Sequence, residues 1–188
     1  SYLKKLFSNT DTELSYNNEF QLIMAVILSA QTTDKQVNKV TSKIFNKIKV
    51  PQDIITKKKT KIERSRTSIN YYKTKSKHLF RLAQHLIDKK GLNELWIKKI
   101  NSYQGENNAY FIPTTIKDLQ KLPWIGEKTA KVIAHVLFQL PVIAVDTHVH
   151  RVCNRLWIVS TKTAEQTSKL LEKRIPKQYK PIAHHSLI

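Results

Sequence analysis

The segment Leu122–Phe138 reads LPWIGEKTAKVIAHVLF and predicts a tight turn that leads directly into a buried helix. Pro123 and Gly126 are typical turn residues, because proline fixes φ and glycine adopts backbone conformations that other residues avoid. From Glu127 onward the apolar residues occur nearly all round the helix, which is typical of a central element. Lys128 departs from this pattern, since a charged amine at a buried helix start is costly unless something uses it.

Lys128 is interpreted either as a reactive amine at a nucleic-acid site or as a solvated surface lysine. The backbone N–H groups at a helix start, together with the helix dipole, form a ready site for a nucleic-acid phosphate. The same dipole disfavours a second positive charge, so we expect a fraction of neutral amine, which can attack an electrophilic carbon. The alternative is a solvated lysine on the outer face of the helix.

A second polar cluster follows in Val145–Arg151, VDTHVHR. Asp146 directly precedes an apolar-periodic helix, so it is expected to be the N-cap, and it is also a carboxylate able to accept a proton near Lys128. His148 and His150 suggest a metal site, but residues two apart on a helix point to different faces. We therefore expect them to support the site or face DNA.

Outside these segments the apolar residues recur at helical spacing, and no stretch alternates convincingly at period two. The run Phe20–Ala30 is too short to span a bilayer and suits a core helix. The polar stretch Asn101–Tyr110 is expected to be a surface loop inserted between helices. The sequence predicts an all-α fold. Further helices are predicted over Asp34–Ile48, Lys75–Asp88, Thr115–Leu122, Asp146–Leu156 and Ala164–Ile175.

The charge balance favours a nucleic-acid partner. Lys and Arg number 33 against 14 Asp and Glu, which gives a net charge of +19 and suits a phosphate-binding surface. AT-rich coding is an alternative origin of the lysine excess. The single cysteine, Cys153, excludes an internal disulfide and favours an intracellular setting. One thiol also does not hold an iron–sulfur cluster.

With these segments in view, the chain resembles the helix–hairpin–helix DNA glycosylase superfamily, and most closely its endonuclease III group. The resemblance rests on LPWIGEKTA followed by PVIAVDTHVHRVCNR, and it extends to ELSYNNEFQLIMAVILSAQTTDKQVNKVT at 13–41, INYYKTKSKHL at 69–79 and IPKQYKPIAHHSLI at 175–188. Apart from an insertion near Lys90–Phe111, it covers most of the chain.

The resemblance implies an all-α, two-lobe helical bundle with a DNA-binding cleft between the lobes. A central helical domain is expected at 15–140, with the helix–hairpin–helix motif at about 115–138. The second lobe would comprise 1–14 and 141–188. In this family four cluster cysteines follow the segment that ends this sequence, so the chain is either truncated or from a cluster-free branch. No metal ligand is expected here, and a 4Fe–4S cluster is expected only if cysteines follow Ile188.

The implied activity is a base-excision-repair DNA glycosylase with abasic-site lyase activity that removes oxidised pyrimidines. Such enzymes flip the damaged base out of the duplex, because the sugar C1′ is unreachable in the stack. By position, Lys128 would attack C1′ to form a Schiff base that permits β-elimination. Asp146 would help to deprotonate that amine and would stabilise the cationic transition state.

The implied partner is double-stranded DNA that contains damaged bases or abasic sites, bound by a monomer within the cytoplasm or nucleoid. Gln31 would fill the hole left by the flipped nucleotide, and Tyr71 would stand at the wedge position. Further DNA-binding residues are expected at Pro123, Trp124, Gly126, Lys131, His148 and Arg151.

Two departures from the family pattern affect these expectations. Trp124 replaces the first glycine of the usual Leu-Pro-Gly-x-Gly hairpin, which would weaken phosphate binding if that position needs positive φ. Trp124 would otherwise pack against the sugar or a neighbouring helix. Asn70 and Tyr71 replace the usual Gly and Leu of the wedge. The alternatives are therefore a sibling glycosylase with another lesion preference, or a catalytically weak or inactive DNA-binding relic.

Overall fold

The computed structural model describes residues 12–56, 72–88, 97–102, 105–180 and 183. These residues are mostly helical, as predicted, with one small two-stranded sheet. In chain order the helices are α1 (Glu19–Ser29), α2 (Asp34–Ile44), α3 (Pro51–Thr56), α4 (Tyr72–Asp88), α5 (Ile116–Leu119), α6 (Glu127–Phe138), α7 (Thr147–Arg155) and α8 (Ala164–Arg174). A 3-10 turn follows at Lys177–Tyr179.

The chain divides into two compact units. The first unit is Glu13–Gly126, and the second comprises the described residues from Glu127 onward together with Thr12. The units divide directly before α6, where the helix that carries Lys128 begins. The separate domain expected at 15–140 stays a prediction.

Helix α1 forms the centre of the first unit. Asn18 caps it by accepting the Gln21 N–H, and every residue from Phe20 to Leu28 is buried. The Gln21 amide donates to the carbonyl oxygens of Phe45 and Ile48 at 2.9 Å each, which ties α1 to the end of α2. Among the described residues, no helix is both long and apolar enough to cross a membrane.

The stretch expected to be a loop at Asn101–Tyr110 instead belongs, at its described residues 101–102 and 105–110, to two antiparallel strands. Strand β1 (Ile97–Ser102) pairs with β2 (Gly105–Pro113), with Ile97 opposite Pro113 and an irregularity between Ile100 and Ser102. The prediction was wrong here because the alternation of buried and other residues in β2 is short and follows a polar half-strand. Tyr110 and Ile112 are buried at period two, and the Tyr110 ring packs edge-on against Phe20 with 6.0 Å between centroids.

The second unit packs α6, α7 and α8. Its core contains six buried residues: Ile143, Val145, Val149, Cys153, Val159 and Leu171. Helix α6 has the predicted bounds, and α7 begins directly after Asp146 because that residue caps it. The short segment between α6 and α7 therefore brings Asp146 back towards the first turn of α6.

Candidate active site

One carboxylate holds both the start of α7 and the lysine at the start of α6. Asp146 Oδ1 accepts the backbone N–H groups of His148 and Val149 at 2.9 Å each. Its other oxygen, Oδ2, lies 3.0 Å from Lys128 Nζ. The N-cap interpretation and the interpretation as a partner of the amine are thus both correct, because each uses a different oxygen.

The two side chains differ in their access to solvent. The Lys128 side chain is 48% exposed and that of Asp146 is 19% exposed. The cap fixes the carboxylate, while the amine remains accessible to a reactant arriving from outside. A fixed acceptor beside an accessible amine is the arrangement that an activated lysine nucleophile requires.

Lys131, one turn after Lys128, lies in a buried ionic network and not on the surface. Its Nζ donates to Ser168 Oγ at 2.6 Å and lies 3.0 Å from Glu127 Oε1 and 3.3 Å from Glu172 Oε1. Only 8% of the side chain is exposed. Lys131 was expected to bind DNA; its ammonium contacts protein groups here, and the expected DNA contact stays a prediction.

Glu172 on α8 connects this network to the rest of the second unit. It accepts the Ile143 N–H at 3.0 Å and the Lys180 ammonium at 2.6 Å. Burial acts to raise the pKa of Glu172, but the hydrogen bonds from Lys180 and Ile143 and the charge of Lys131 outweigh it and hold the pKa below its ordinary value. The network therefore fixes α6 against α8 with an ionised carboxylate at its centre.

The two histidines of VDTHVHR diverge as expected. His148 is exposed and its Nδ1 lies 3.1 Å from an Arg151 guanidinium nitrogen, so the two form a polar pair on the surface of α7. His150 is half-buried, and its Nδ1 is 2.7 Å from Thr167 Oγ1. His148 and Arg151 thus remain candidates for DNA contact, whereas His150 joins α7 to α8.

In the first unit, Trp124 of the Leu122–Gly126 hairpin before α6 adopts a backbone conformation that usually belongs to glycine. Trp124 has φ 61°. Its ring, on a residue that is 44% exposed, stacks on the His78 ring with centroids 3.5 Å apart and planes 14° apart. The Arg81 guanidinium carbon lies 5.4 Å from the Trp124 ring centroid. Trp124 therefore packs against α4, a neighbouring helix.

The two other hairpin residues that were expected to bind DNA differ in exposure. Pro123 is half-buried and Gly126 is exposed. A Cβ added at Gly126 would meet no heavy atom of the described residues within 4 Å. This position therefore needs no glycine for the protein's own packing, and a ligand has room to approach its backbone.

Gln31 lies in a turn that a second lysine holds. Gln31 is exposed with φ 58°, directly after the end of α1. Lys75 on α4 is buried, and its Nζ donates to the carbonyl oxygens of Leu28 at 2.9 Å and Ala30 at 2.6 Å. Sequence reasoning missed Lys75, although a lysine on the apolar face that Leu79 continues is a signal of a buried amine.

Tyr71 and Asn70, the residues expected at the wedge, lie outside the described residues. The expected role of Tyr71 stays a prediction.

The chain's own residues do not fit a cluster with four thiolate ligands. Cys153 is its single cysteine, and it is fully buried in the core of the second unit. Burial also raises the pKa of the Cys153 thiol, which disfavours the thiolate that binds metal. Within the described ranges no group of three or more His, Cys, Asp or Glu side chains is placed to hold a metal ion.

Comparison with known proteins identifies the family of this chain. The family described as HhH-GPD superfamily base excision DNA repair protein matches residues 24–177. The chain belongs to this superfamily. The match includes Gln31, the hairpin, Lys128 and Asp146.

Curated relatives and solved structures agree with this assignment. The chain is 36% identical to endonuclease III of Bacillus subtilis (strain 168) over 97% of this chain and 76% of the relative. It is 33% identical to endonuclease III of Escherichia coli (strain K12) over 94% and 75%. The structure of a trapped endonuclease III–DNA covalent intermediate matches with a TM-score of 0.81 and 38% identity, covering 100% of this chain and 80% of that one.

A more distant structure shares the fold alone. A thermostable thymine-DNA glycosylase matches with a TM-score of 0.70 and 19% identity, over 99% of this chain and 84% of that one. Together these findings confirm the predicted fold and the predicted class of enzyme, a base-excision-repair DNA glycosylase with abasic-site lyase activity. They do not favour the inactive relic.

Proposed function

We propose that this protein removes oxidised pyrimidines from double-stranded DNA and then cleaves the strand at the resulting abasic site. The observation that carries the proposal is the 3.0 Å contact between Lys128 Nζ and Asp146 Oδ2, with the amine exposed and the carboxylate fixed by its cap. The family and the endonuclease III relatives support the reaction class. The lesion class follows from the resemblance to endonuclease III.

In the first step Asp146 accepts a proton from the Lys128 ammonium. The neutral amine attacks C1′ of the flipped nucleotide and forms the C1′–Nζ bond. The glycosidic bond breaks, and its electron pair leaves with the damaged base, which takes up the proton that Asp146 had accepted, so that Asp146 is a carboxylate again. As positive charge develops on the sugar, the fixed carboxylate of Asp146 stabilises it.

In the second step the sugar ring opens: the C1′–O4′ bond breaks, O4′ takes up one of the two protons on Nζ, and C1′ and Nζ share a double bond as a protonated Schiff base. This cation withdraws electrons from C2′, so a C2′ proton passes to water. The electron pair forms a C2′–C3′ double bond and expels the 3′ phosphate. Hydrolysis of the Schiff base then restores Lys128.

Exposed residues of this chain are proposed to contact the DNA. In the first unit, Gln31 would occupy the space of the flipped nucleotide, and the backbone around Gly126 would receive a phosphate, since nothing in the described residues fills that position. In the second unit, the exposed pair His148 and Arg151 would contact the backbone. Charge of +19 supports this partner. The proposed active species is a monomer.

Borohydride trapping on a duplex with one abasic site tests the proposal. Borohydride reduces a Schiff base to a stable amine, so the wild-type protein should become cross-linked to the DNA. Lys128→Gln should give no cross-link while it still binds DNA. The matched control is Lys169→Gln, since Lys169 is an exposed lysine of the same unit on α8. A cross-link that survives in Lys128→Gln would assign the nucleophile to another residue.

The lesion class needs a separate measurement. Single-turnover excision should be compared on duplexes that differ in one base: an oxidised pyrimidine, an undamaged pyrimidine or an oxidised purine. We expect excision of the oxidised pyrimidine alone. Equal or faster excision of the oxidised purine would favour the sibling glycosylase with another lesion preference.

A further inference from the structure

Lys75 has an unusual environment for a lysine. The residue is only 6% exposed, although the side chain ends in an ammonium group. Its Nζ donates to Leu28 O at 2.9 Å, Ala30 O at 2.6 Å and Thr32 Oγ1 at 3.2 Å. The three donors of the ammonium therefore each have an acceptor.

The acceptors are the reason that a cation is tolerated there. Leu28 and Ala30 lie at the C-terminal end of α1, where helical carbonyls lack intrahelical partners and the dipole presents partial negative charge. Burial lowers the pKa of Lys75. Burial of an ammonium group destabilises the fold, so the contacts of Lys75 are expected to stabilise the segment that they bind.

That place is the turn that carries Gln31. Two of the three acceptors, Ala30 O and Thr32 Oγ1, belong to the residues on either side of Gln31. The turn is closed by a hydrogen bond from Thr32 N–H to Ser29 O at 3.0 Å. Within it Gln31 has φ 58°, a left-handed conformation that most residues avoid. Lys75 therefore binds the backbone carbonyl before a strained, exposed glutamine and the threonine hydroxyl after it.

We propose that Lys75 is a positioning residue that holds Gln31 in the shape needed to enter the duplex when a nucleotide flips out. The inference rests on the proposed function, in which Gln31 fills the vacated space. It predicts that Lys75 matters for opening a duplex and not for the Schiff-base step itself. A single-stranded abasic substrate has no stack to open, so it separates the two requirements.

The experiment compares Lys75→Met with Lys77→Met, a control at an exposed lysine of the same helix. Single-turnover excision from a lesion duplex and borohydride trapping on a single-stranded abasic oligonucleotide are measured for each protein. Lys75→Met should lose about tenfold on the duplex and less than twofold on the single strand, because Gln31 without its support leaves the unfavourable left-handed conformation that duplex opening needs. Lys77→Met should match the wild type on both.

A spectroscopic readout and a second variant protect the test against a folding defect. A 2-aminopurine beside the lesion brightens when the stack opens, and Lys75→Met should slow that signal. Thr32→Val removes one acceptor while it keeps the buried ammonium, so it should slow duplex excision in the same direction. If Lys75→Met fails to fold, Thr32→Val decides the question.

A double-mutant cycle shows whether Lys75 acts through Gln31. In a Gln31→Ala background, Lys75→Met should cost less than twofold on the duplex, because the residue that it positions is already gone. An undiminished tenfold loss in that background, an equal loss on both substrates, or wild-type duplex rates in Lys75→Met and Thr32→Val would overturn the inference. Failure of the wild-type protein to trap on either substrate would instead overturn the proposed function.

Discussion

Replacing Asp146 by asparagine should nearly abolish catalysis while it leaves the fold almost intact. The variant separates the two roles that the carboxylate combines. In the wild type, the N–H groups of His148 and Val149 donate to Asp146 Oδ1 at 2.9 Å each. Asparagine is as good an N-cap as aspartate, so its side-chain oxygen can still accept both. The oxygen that lies 3.0 Å from Lys128 Nζ becomes an amide group that accepts no proton.

The stability cost can be bounded from the geometry. The Lys128 side chain is 48% exposed, so solvent screens its ion pair with Asp146 and the pair contributes at most about 1 kcal/mol. Loss of the negative charge at the start of α7 adds about 0.3 to 1 kcal/mol. We therefore expect Asp146→Asn to lower the free energy of unfolding by about 1 kcal/mol.

The catalytic cost should be far larger. A positioned group that transfers a proton contributes a factor of about 10² to 10⁴ to the rate. Single-turnover excision from a lesion duplex should therefore fall at least about 100-fold in Asp146→Asn. Urea denaturation of the same preparation measures the stability, so that both effects come from one sample.

The matched control is Thr163→Ala, which removes the N-cap of α8. Thr163 Oγ1 accepts the Gln166 N–H at 3.2 Å, and losing such a cap costs about 1 kcal/mol. Thr163→Ala should thus be destabilised about as much as Asp146→Asn and keep wild-type excision. If Asp146→Asn lost activity no more than Thr163→Ala, the carboxylate would be a cap alone and the proposed proton transfer would be wrong.

Three other changes give distinct outcomes. Trp124→Gly relieves the strain of φ 61° but loses the ring stack on His78, so the free energy of unfolding should change by less than about 1 kcal/mol. If the indole hinders a phosphate, the affinity for duplex DNA measured by filter binding should rise. An unchanged affinity would contradict that hypothesis. The methyl group added in Gly126→Ala meets no protein atom within 4 Å, so thermal unfolding should be unchanged. DNA affinity should fall, because the methyl group takes up the room in which a phosphate would approach the backbone. Weaker binding together with a loss of stability would point to a structural role. The pKa of Glu172 is lower in the folded protein than its ordinary value of about 4.5, so Glu172 stabilises the fold above that pH, and this stability is lost as the pH falls through the folded-state pKa. Urea unfolding of Glu172→Gln at a series of pH values should lack this acid-dependent loss. A pH profile identical to that of the wild type would contradict the assignment.

The positions of Lys128 and Asp146 were predictable from local signals in the sequence, whereas their catalytic roles came from the resemblance and stay a proposal. The turn residues before α6 and the capping aspartate before α7 each lie next to the helix that they start, so periodicity and capping rules locate Lys128 and Asp146 together. Their 3.0 Å contact depends on a return of the chain over 18 positions, which the resemblance implied and the structure supplies.

Residues whose partners are remote in sequence were not predictable in this way. Lys131 looks like a surface lysine until Glu172, 41 positions later, joins α8 to α6. Lys75 looks equally ordinary, because its acceptor Leu28 lies 47 positions earlier. Strand β2 was missed for a different reason, since its pattern is too short to compete with the polar residues beside it.

Helix α4 connects the two strained turns of the first unit. Among its described residues, the non-glycine positions with positive φ are Gln31 and Trp124. Lys75 binds the turn around Gln31, and His78, one turn along the same helix, stacks on Trp124. Strained conformations persist only where the surroundings over-determine them, so α4 supplies that constraint twice. A substitution that shifts α4 as a whole should therefore impair both turns together, whereas Lys75→Met should release the Gln31 turn and leave the Trp124 stack in place.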